Sequence, residues 1–274
     1  MSQLETILIN TYNPDFTLRT QAEAALNQFL RISGACFQIL LLAGNHSVHR
    51  DLRQAAKILL KNKIRSYWSD SDGLVMSPEE KVAFKNAIIE ILIIEPDNSI
   101  KTLIAETIKI ICEFEFEKNT WPDLIPKLIA SIRTSEPLKI YNSLLALRKL
   151  IKRYEYKPKE GRAEMNAIID MTFPTLHTLI QVLRDHDQIE AAGILRLCFK
   201  IFWSATQYCL PNPSSVDFTL WFSSMSFYLD KPLPEASENL PPRGQPTDPD
   251  QRAKWPWWQV RSCFCHDPPA SYMI

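Results

Sequence analysis

Glycine is scarce in this sequence, with only 6 among 274 residues, about a third of what average usage would give. Few glycines leave few positions for tight β-turns and for loops that wrap phosphate groups. The composition therefore disfavours β-rich folds and nucleotide-binding folds. The length suits one large domain or two ordinary ones.

The chain also lacks net charge, because 31 Lys and Arg residues balance 31 Asp and Glu residues. Proteins that bind nucleic acid over much of their surface are usually strongly basic, so we expect no direct nucleic-acid partner. Residues 1–12 have neither a basic start nor a continuous apolar block, which argues against a signal peptide. The weakly polar stretch 30–44 is too short for a membrane span, so we expect no membrane insertion.

Catalytic motifs are missing as well. The sequence contains no G-x-x-x-x-G-K loop and no G-x-S-x-G turn, and its five histidines are scattered. Cys263, Cys265 and His266 lie close together, but their spacing is too tight for the usual zinc pair and no second pair accompanies them. We therefore expect no enzyme activity, no metal and no cofactor. The other cysteines lie in apolar, helix-like contexts, which predicts buried free thiols at Cys36, Cys112, Cys198 and Cys209.

Helix start signals and apolar residues at helical spacing recur along the chain. Ser77 and Glu80 form a capping box with proline at the first helical position. Gly193 lies inside a predicted helix, which indicates close packing of another helix. The predicted helices form five successive pairs: 3–11 with 15–31, 34–44 with 48–68, 78–94 with 97–117, 121–133 with 136–155, and 164–184 with 187–209.

The second helices begin near residues 15, 48, 97, 136 and 187, at intervals that scatter around the period of HEAT and armadillo repeats. A helix pair cannot bury its own apolar face, so successive pairs must stack. We expect an all-α fold, a superhelical α-solenoid of about five to six HEAT-type helix pairs. An ordinary globular helical bundle is the alternative.

The composition changes after residue 229. Residues 230–254 are rich in proline, which predicts a loop or linker. Trp255, Trp257 and Trp258 require burial, yet the segment after them has no helical period and is not expected to form a closing repeat. The expected organisation is repeats at 1–118 and 119–229, a linker at 230–254 and an atypical segment at 255–274.

Charged residues cluster by sign along the chain. Residues 50–65 hold six basic side chains against one acidic, 90–117 hold seven acidic against two basic, and 139–162 hold eight basic against two acidic. Steps of three or four residues predict one basic ridge on a single helix, formed by Arg50, Arg53, Lys57, Lys61 and Arg65. Ridges of opposite sign either compensate each other on a solvated face or form a groove that attracts a charged protein partner.

Several segments resemble the importin-β family of transport receptors. Residues 22–29 (AEAALNQF) and 53–64 (RQAAKILLKNKI), with Tyr67 and Trp68, are similar to its N-terminal domain. Residues 121–126 (WPDLIP) are similar to a HEAT start in that family. Three further segments resemble the importin-7 and importin-8 branch of the family: residues 152–157, 199–203 and 256–258. The likeness extends from residue 1 to about 260.

The resemblance implies a nuclear transport receptor that binds the small GTPase Ran in its GTP form through inner helices of the N-terminal repeats. It also implies that import cargo binds to the inner surface farther along the chain and that nucleoporins bind in grooves between outer helices. A receptor of this kind would reside in the cytoplasm, the nucleus and the nuclear pore. The implied Ran-binding positions lie on helices 15–31, 48–68 and 97–117: Arg53, Lys57, Lys61, Glu106, Lys109 and Glu113. A HEAT scaffold that does not bind Ran is the alternative.

The chain departs from the family after residue 258. Members continue there with an amphipathic helix, whereas residues 261–269 here end in two prolines that stop a helix. We therefore expect a truncated or mis-spliced product, or a faulty gene model, with most of the cargo surface absent. Poor solubility or partial disorder is expected beyond residue 229.

Overall fold

A computed structural model of the chain describes residues 2–116, 119–211, 216–233 and 255–264, and every regular element in these ranges is a helix. The chain divides into two compact units, residues 1–124 and 125–274. The helices of the first unit are α1 (Gln3–Asn10), α2 (Phe16–Phe29), α3 (Ala35–Gly44), α4 (Arg50–Trp68), α5 (Pro78–Ile94) and α6 (Asn98–Glu115).

The second unit continues with α7 (Leu124–Ile132), whose first residue belongs to the first unit, and α8 (Pro137–Lys152). Then follow α9 (Ala163–Val182), α10 (Ile189–Thr206), α11 (Phe218–Asp230) and α12 (Pro256–Ser262). Two single 3₁₀ turns, Lys159–Gly161 and Leu183–Asp185, flank α9. Helices α1 to α10 are the five predicted pairs, which confirms the all-α expectation.

Local signals in the sequence set several helix starts. The Ser77 hydroxyl accepts a hydrogen bond from the Glu80 amide at 3.2 Å, and the Glu80 carboxylate accepts one from the Ser77 amide at 2.9 Å. This confirms the capping box. Asp15 and Asp97 cap α2 and α6 in the same manner. Each such cap stabilises its helix by about 1 kcal/mol.

The core of the first unit lies around α4, which packs against α3 on one side and α6 on the other. Leu60 and Ile64 on α4 are fully buried, as are Ile104 and Ile108 on α6. Phe16 is 71% exposed although its side chain is aromatic. It occupies the first position of α2, where its ring contacts the Arg19 guanidinium instead of the core.

The core of the second unit lies between α8 and α10, which pack side by side. A Cβ atom at Gly193 would lie 3.3 Å from the ring of Tyr141, so the two helices approach closely at this point. This confirms the prediction drawn from Gly193. Near the other end, the Gln207 amide donates a hydrogen bond to the Glu155 carboxylate.

The C-terminal segment differs from the sequence-based expectation. Residues Pro256–Ser262 form α12, which packs against α10 and α11, and Trp257 is buried with its indole donating to the Asp187 carbonyl at 3.1 Å. The expectation that the segment after Trp258 lacks a helical period is therefore wrong for residues 259–262. Pro256 starts this helix at a position where its missing N–H costs nothing, and burial against α10 stabilises it.

The thiol prediction is confirmed at three of four positions. Cys36, Cys112 and Cys198 are buried free thiols, whereas Cys209 lies beyond the end of α10 and is half-buried. Cys265 and His266 lie outside the described residues, as does most of the predicted linker. Within the described ranges, no helix combines the length and apolar character of a membrane span. The same ranges contain no group of three side chains suited to hold a metal ion.

Candidate functional site

Helices α4 and α6 carry the charge pattern that the sequence singled out, and they lie side by side. The Arg50 guanidinium contacts the Asp97 carboxylate at 2.7 Å near one end of the pair. Arg65 forms an ion pair with Glu113 farther along. The partners are 47 and 48 residues apart in sequence, so the two helices run parallel in a constant register. At these positions the basic and acidic ridges compensate each other.

Arg50 also controls the protonation of Asp97. Its hydrogen bond, together with backbone amides of the α6 cap, holds the pKa of Asp97 below its usual value. Asp97 therefore stays ionised at neutral pH and caps the helix while it pairs with Arg50. Because Arg50 is half-exposed, solvent screens this ion pair and it contributes little to stability.

Arg53 is not a surface residue. It is 6% exposed, donates from Nε to the Ala43 carbonyl at 3.1 Å and pairs with the fully buried Glu95 carboxylate. It thus joins the end of α3 and the residue after α5 to α4. The prediction of an exposed basic ridge is wrong at Arg53, because α4 has neighbours on both sides and its three-to-four spacing runs through the core.

Lys57 is buried completely. Its Nζ has no hydrogen-bond partner within the described part of the chain. Burial lowers the pKa of Lys57 to about 7; Glu95 opposes this effect, while Arg53 adds to it. The ridge prediction is wrong here too, and neither Arg53 nor Lys57 offers its charge to a partner on the outer surface.

The four remaining positions stay accessible to solvent. The side chains of Glu106, Lys109 and Glu113 are 23%, 28% and 26% exposed, and Lys61 is half-buried. Lys109 pairs with Glu106 one turn earlier on α6. Lys61 has no ion pair within the described residues. We call the surface of Lys61, Glu106, Lys109 and Glu113 the α4–α6 strip.

A buried hydrogen-bond network at the end of the strip was not predicted from the sequence. The Glu115 carboxylate accepts hydrogen bonds from the Trp68 indole and from the Lys85 ammonium, both at 2.7 Å. Lys85 also donates to the Thr120 carbonyl at 2.8 Å. Burial alone would raise the pKa of Glu115, but the hydrogen bonds outweigh it and hold the pKa below its usual value. The 47-residue offset between Trp68 and Glu115, equal to that of Arg50 and Asp97, is the signal that points to this contact.

Comparison with known proteins gives one domain match and relatives over nearly the whole chain. Residues 22–93 match the importin-beta N-terminal domain. The chain is 27% identical over 263 residues to the importin beta-like SAD2 homolog of Arabidopsis thaliana, covering 93% of this chain and 24% of that protein. It is 26% identical over 262 residues to importin-8 of Homo sapiens, covering 92% and 24%. The chain therefore spans about a quarter of the length of these relatives.

Solved structures support the fold class. The exportin Cse1 in its cargo-free, cytoplasmic state matches with a TM-score of 0.77 and 17% identity, over 95% of this chain and 28% of that one. Importin beta matches with a TM-score of 0.65 and 17% identity, over 96% and 28%. These neighbours are HEAT-repeat karyopherins, which confirms the predicted repeat class.

The helix pairs, the matched domain and the likeness over most of the chain agree with the resemblance drawn from the sequence. They show that the chain is similar to importins over nearly its whole length and has the fold of the karyopherin structures it matches.

Proposed function

We propose that the chain acts within a nuclear import receptor and binds Ran in its GTP form through the α4–α6 strip. One observation carries the proposal: the importin-beta N-terminal domain match at residues 22–93 includes all of α4, which supplies one side of the strip. The strip displays both signs of charge at partly exposed positions. Such patterning favours a polar protein partner and fixes its orientation more than it adds affinity.

The strip also supplies the charges that a partner can reach. Arg53 and Lys57 are not among these charges, because they are held in the core beside Glu95. Lys61 contributes a cation without an internal ion pair among the described residues, so a partner carboxylate does not have to displace one. Glu106 and Lys109 neutralise each other and can exchange that pairing for contacts with a partner.

The proposal also includes nucleoporin binding, which a groove in the second unit supports. The groove lies between α7 and α9, which are first helices of their pairs, and encloses about 410 Å³. Its wall is largely apolar, and Arg133 donates to the Thr175 hydroxyl at 3.0 Å on one side. An aromatic ring of a phenylalanine-glycine repeat suits this size and chemistry. The apolar lining consists of Ile132, Pro174, Leu179 and Val182.

The import direction and the residence in cytoplasm, nucleus and nuclear pore are parts of the same proposal. The likeness to importin-8 over 92% of the chain supports import. The chain covers only a quarter of that relative, so the cargo-binding role is proposed for the larger receptor to which such a segment corresponds.

A pull-down with immobilised chain tests the proposal. Ran loaded with a non-hydrolysable GTP analogue should be retained, and Ran loaded with GDP should not. The Lys61→Glu variant should retain Ran-GTP about three- to tenfold less well, because it replaces a partner-facing cation by an anion. Glu90→Lys is the matched control, since Glu90 is an exposed charge on α5 outside the strip.

The scaffold alternative predicts the opposite pattern. A HEAT adaptor without a transport role would show no preference between the two nucleotide states. Equal retention of Ran-GTP and Ran-GDP, with the helical circular dichroism signal intact, would refute Ran binding by this chain.

A further inference from the structure

The register of α8 and α10 places particular residues opposite each other. Tyr141 contacts the Gly193 position near the start of the pair, and Glu155 meets Gln207 beyond its end. Both contacts join residues 52 positions apart. The two helices therefore run parallel and keep one register along their length. Arg148 on α8 then lies level with Lys200 on α10.

Two more cations flank this level. Lys152 follows Arg148 by one turn on α8, and Arg196 precedes Lys200 by one turn on α10. The proximity also appears in the titration of Lys200: burial lowers its pKa, and Arg196, Arg148 and Lys152 lower it further. We call Arg148, Lys152, Arg196 and Lys200 the α8–α10 cationic cluster.

The cluster carries four cations against one nearby carboxylate, that of Glu155. Within the described part of the chain, no ion pair reaches any of its four members. Glu155 attracts Arg148 and offsets one of the four charges. This carboxylate is 5% exposed, one oxygen accepts a hydrogen bond from Gln207, and Oε2 is buried without a hydrogen-bond partner among the described residues. The nearby Cys263 thiol stays neutral at neutral pH, because burial raises its pKa.

Some hydrogen-bond donors of the cluster are also unused. Arg148 Nε and Nη1 and Arg196 Nε are buried without a hydrogen-bond partner among the described residues. Leaving buried donors unsatisfied carries an energetic cost, and like charges on neighbouring helical turns repel. The first unit shows the contrasting arrangement, because there the cations of α4 meet carboxylates of α6.

We infer that the α8–α10 cationic cluster binds an acidic peptide segment of a partner protein, whose Asp and Glu carboxylates supply counter-charges of the kind that α6 supplies to α4 in the first unit. A guanidinium group can donate two parallel hydrogen bonds to one carboxylate, and the ammonium groups of the two lysines add positive charge beside it. The cluster extends over about two helical turns, roughly 11 Å. That length matches two or three carboxylates of a short segment better than the long uniform charge of a nucleic acid.

Fluorescence anisotropy with the full chain tests this inference. The probe is a labelled twelve-residue peptide of alternating Glu and Ser, and the neutral control peptide has Gln in place of Glu. The Glu peptide should bind with an affinity that falls as salt rises, and the Gln peptide should not bind. Failure of the Glu peptide to bind at low salt would overturn the inference.

Variants locate the binding. Lys152→Gln with Lys200→Gln should weaken binding about tenfold, whereas Lys139→Gln with Lys159→Gln, which removes two cations elsewhere in the unit, should leave it unchanged. Equal affinity of the cluster variant and the wild type, both with unchanged helicity, would overturn the inference. Tighter binding of a dT12 oligonucleotide than of the Glu peptide would overturn it in favour of nucleic acid.

The inference stands apart from Ran binding, because it concerns the other unit. Lys61→Glu should leave peptide binding unchanged, and the cluster variant should keep its preference for Ran-GTP. Failure of one proposal is therefore distinguishable from failure of the other.

Discussion

Replacement of Lys57 by methionine should stabilise the first unit at pH 7 and below. The Lys57 ammonium is fully buried and has no hydrogen-bond partner among the described residues. Glu95 attracts it, but that carboxylate already pairs with Arg53. Methionine has a similar length and flexibility without a charge to desolvate. Replacement of buried ions by apolar residues of similar volume is often stabilising, by about 1–4 kcal/mol.

The pH dependence follows from the lowered pKa. Lys57 titrates near pH 7 when folded, against an ordinary value of 10.5. Below pH 7 both the folded and the unfolded chain hold the proton, so the folded wild type carries the full desolvation cost. Between about pH 7 and 10.5 the unfolded chain binds a proton that the folded chain has released, so wild-type stability rises by at most about 1.4 kcal/mol per pH unit. The advantage of Lys57→Met should therefore shrink by about 2–3 kcal/mol between pH 7 and pH 9.

Urea unfolding followed by circular dichroism, in the presence of a thiol reductant at pH 6.5, 7.5 and 8.5, measures this difference. Lys61→Met is the matched control, because Lys61 lies one turn later on α4 and is partly exposed. Its effect should not vary with pH over this range. A Lys57→Met variant that is less stable than the wild type at pH 6.5, or whose advantage does not change with pH, would refute the reasoning.

Two further substitutions test the buried contacts of each unit. Glu115→Gln should destabilise the first unit by about 1–3 kcal/mol at pH 7, because it leaves the Lys85 ammonium buried without its counter-charge. Since the pKa of Glu115 is lowered in the fold, the wild-type advantage should be present above its ordinary value of 4.5 and disappear as the pH falls through the folded value. Urea unfolding at a series of pH values from 7 downward, through and below 4.5, measures this loss. Gly193→Val should destabilise the second unit by about 1–3 kcal/mol in thermal unfolding, because its methyl groups would push against the Tyr141 ring. Gly193→Ala should stay within about 1 kcal/mol of the wild type, since better helix propensity offsets a tight contact; a Val variant as stable as the Ala variant would contradict the close approach.

The sequence predicted the helices well because their signals are local. The Ser77 capping box, the caps at Asp15 and Asp97, and the apolar spacing depend only on residues within a few turns. The observed pairs consequently agree with the predicted ones, with differences of a few residues at the ends. Gly193 predicted a close helix contact for the same kind of local reason.

The candidate site was only partly predictable. Whether Arg53 and Lys57 face solvent depends on how many neighbours surround α4, and the three-to-four spacing of charges carries no information on that. The burial of Glu115 depends on Lys85 and Trp68, which are distant in sequence. Helix α12 was missed because its stability comes from burial against α10 rather than from its own short sequence.

Helices α4 and α6 keep a constant register, and so do α8 and α10. This register determines where the chain tolerates inserted or deleted residues. An added residue in the loop after Lys152, where Glu155 is held by Gln207, would disturb only that end of the pair. The same addition in the middle of α8 would turn every later side chain by about 100° and carry Arg148 away from Lys200. Gains and losses of residues should therefore accumulate between the helices of this chain and be rare within α8 and α10.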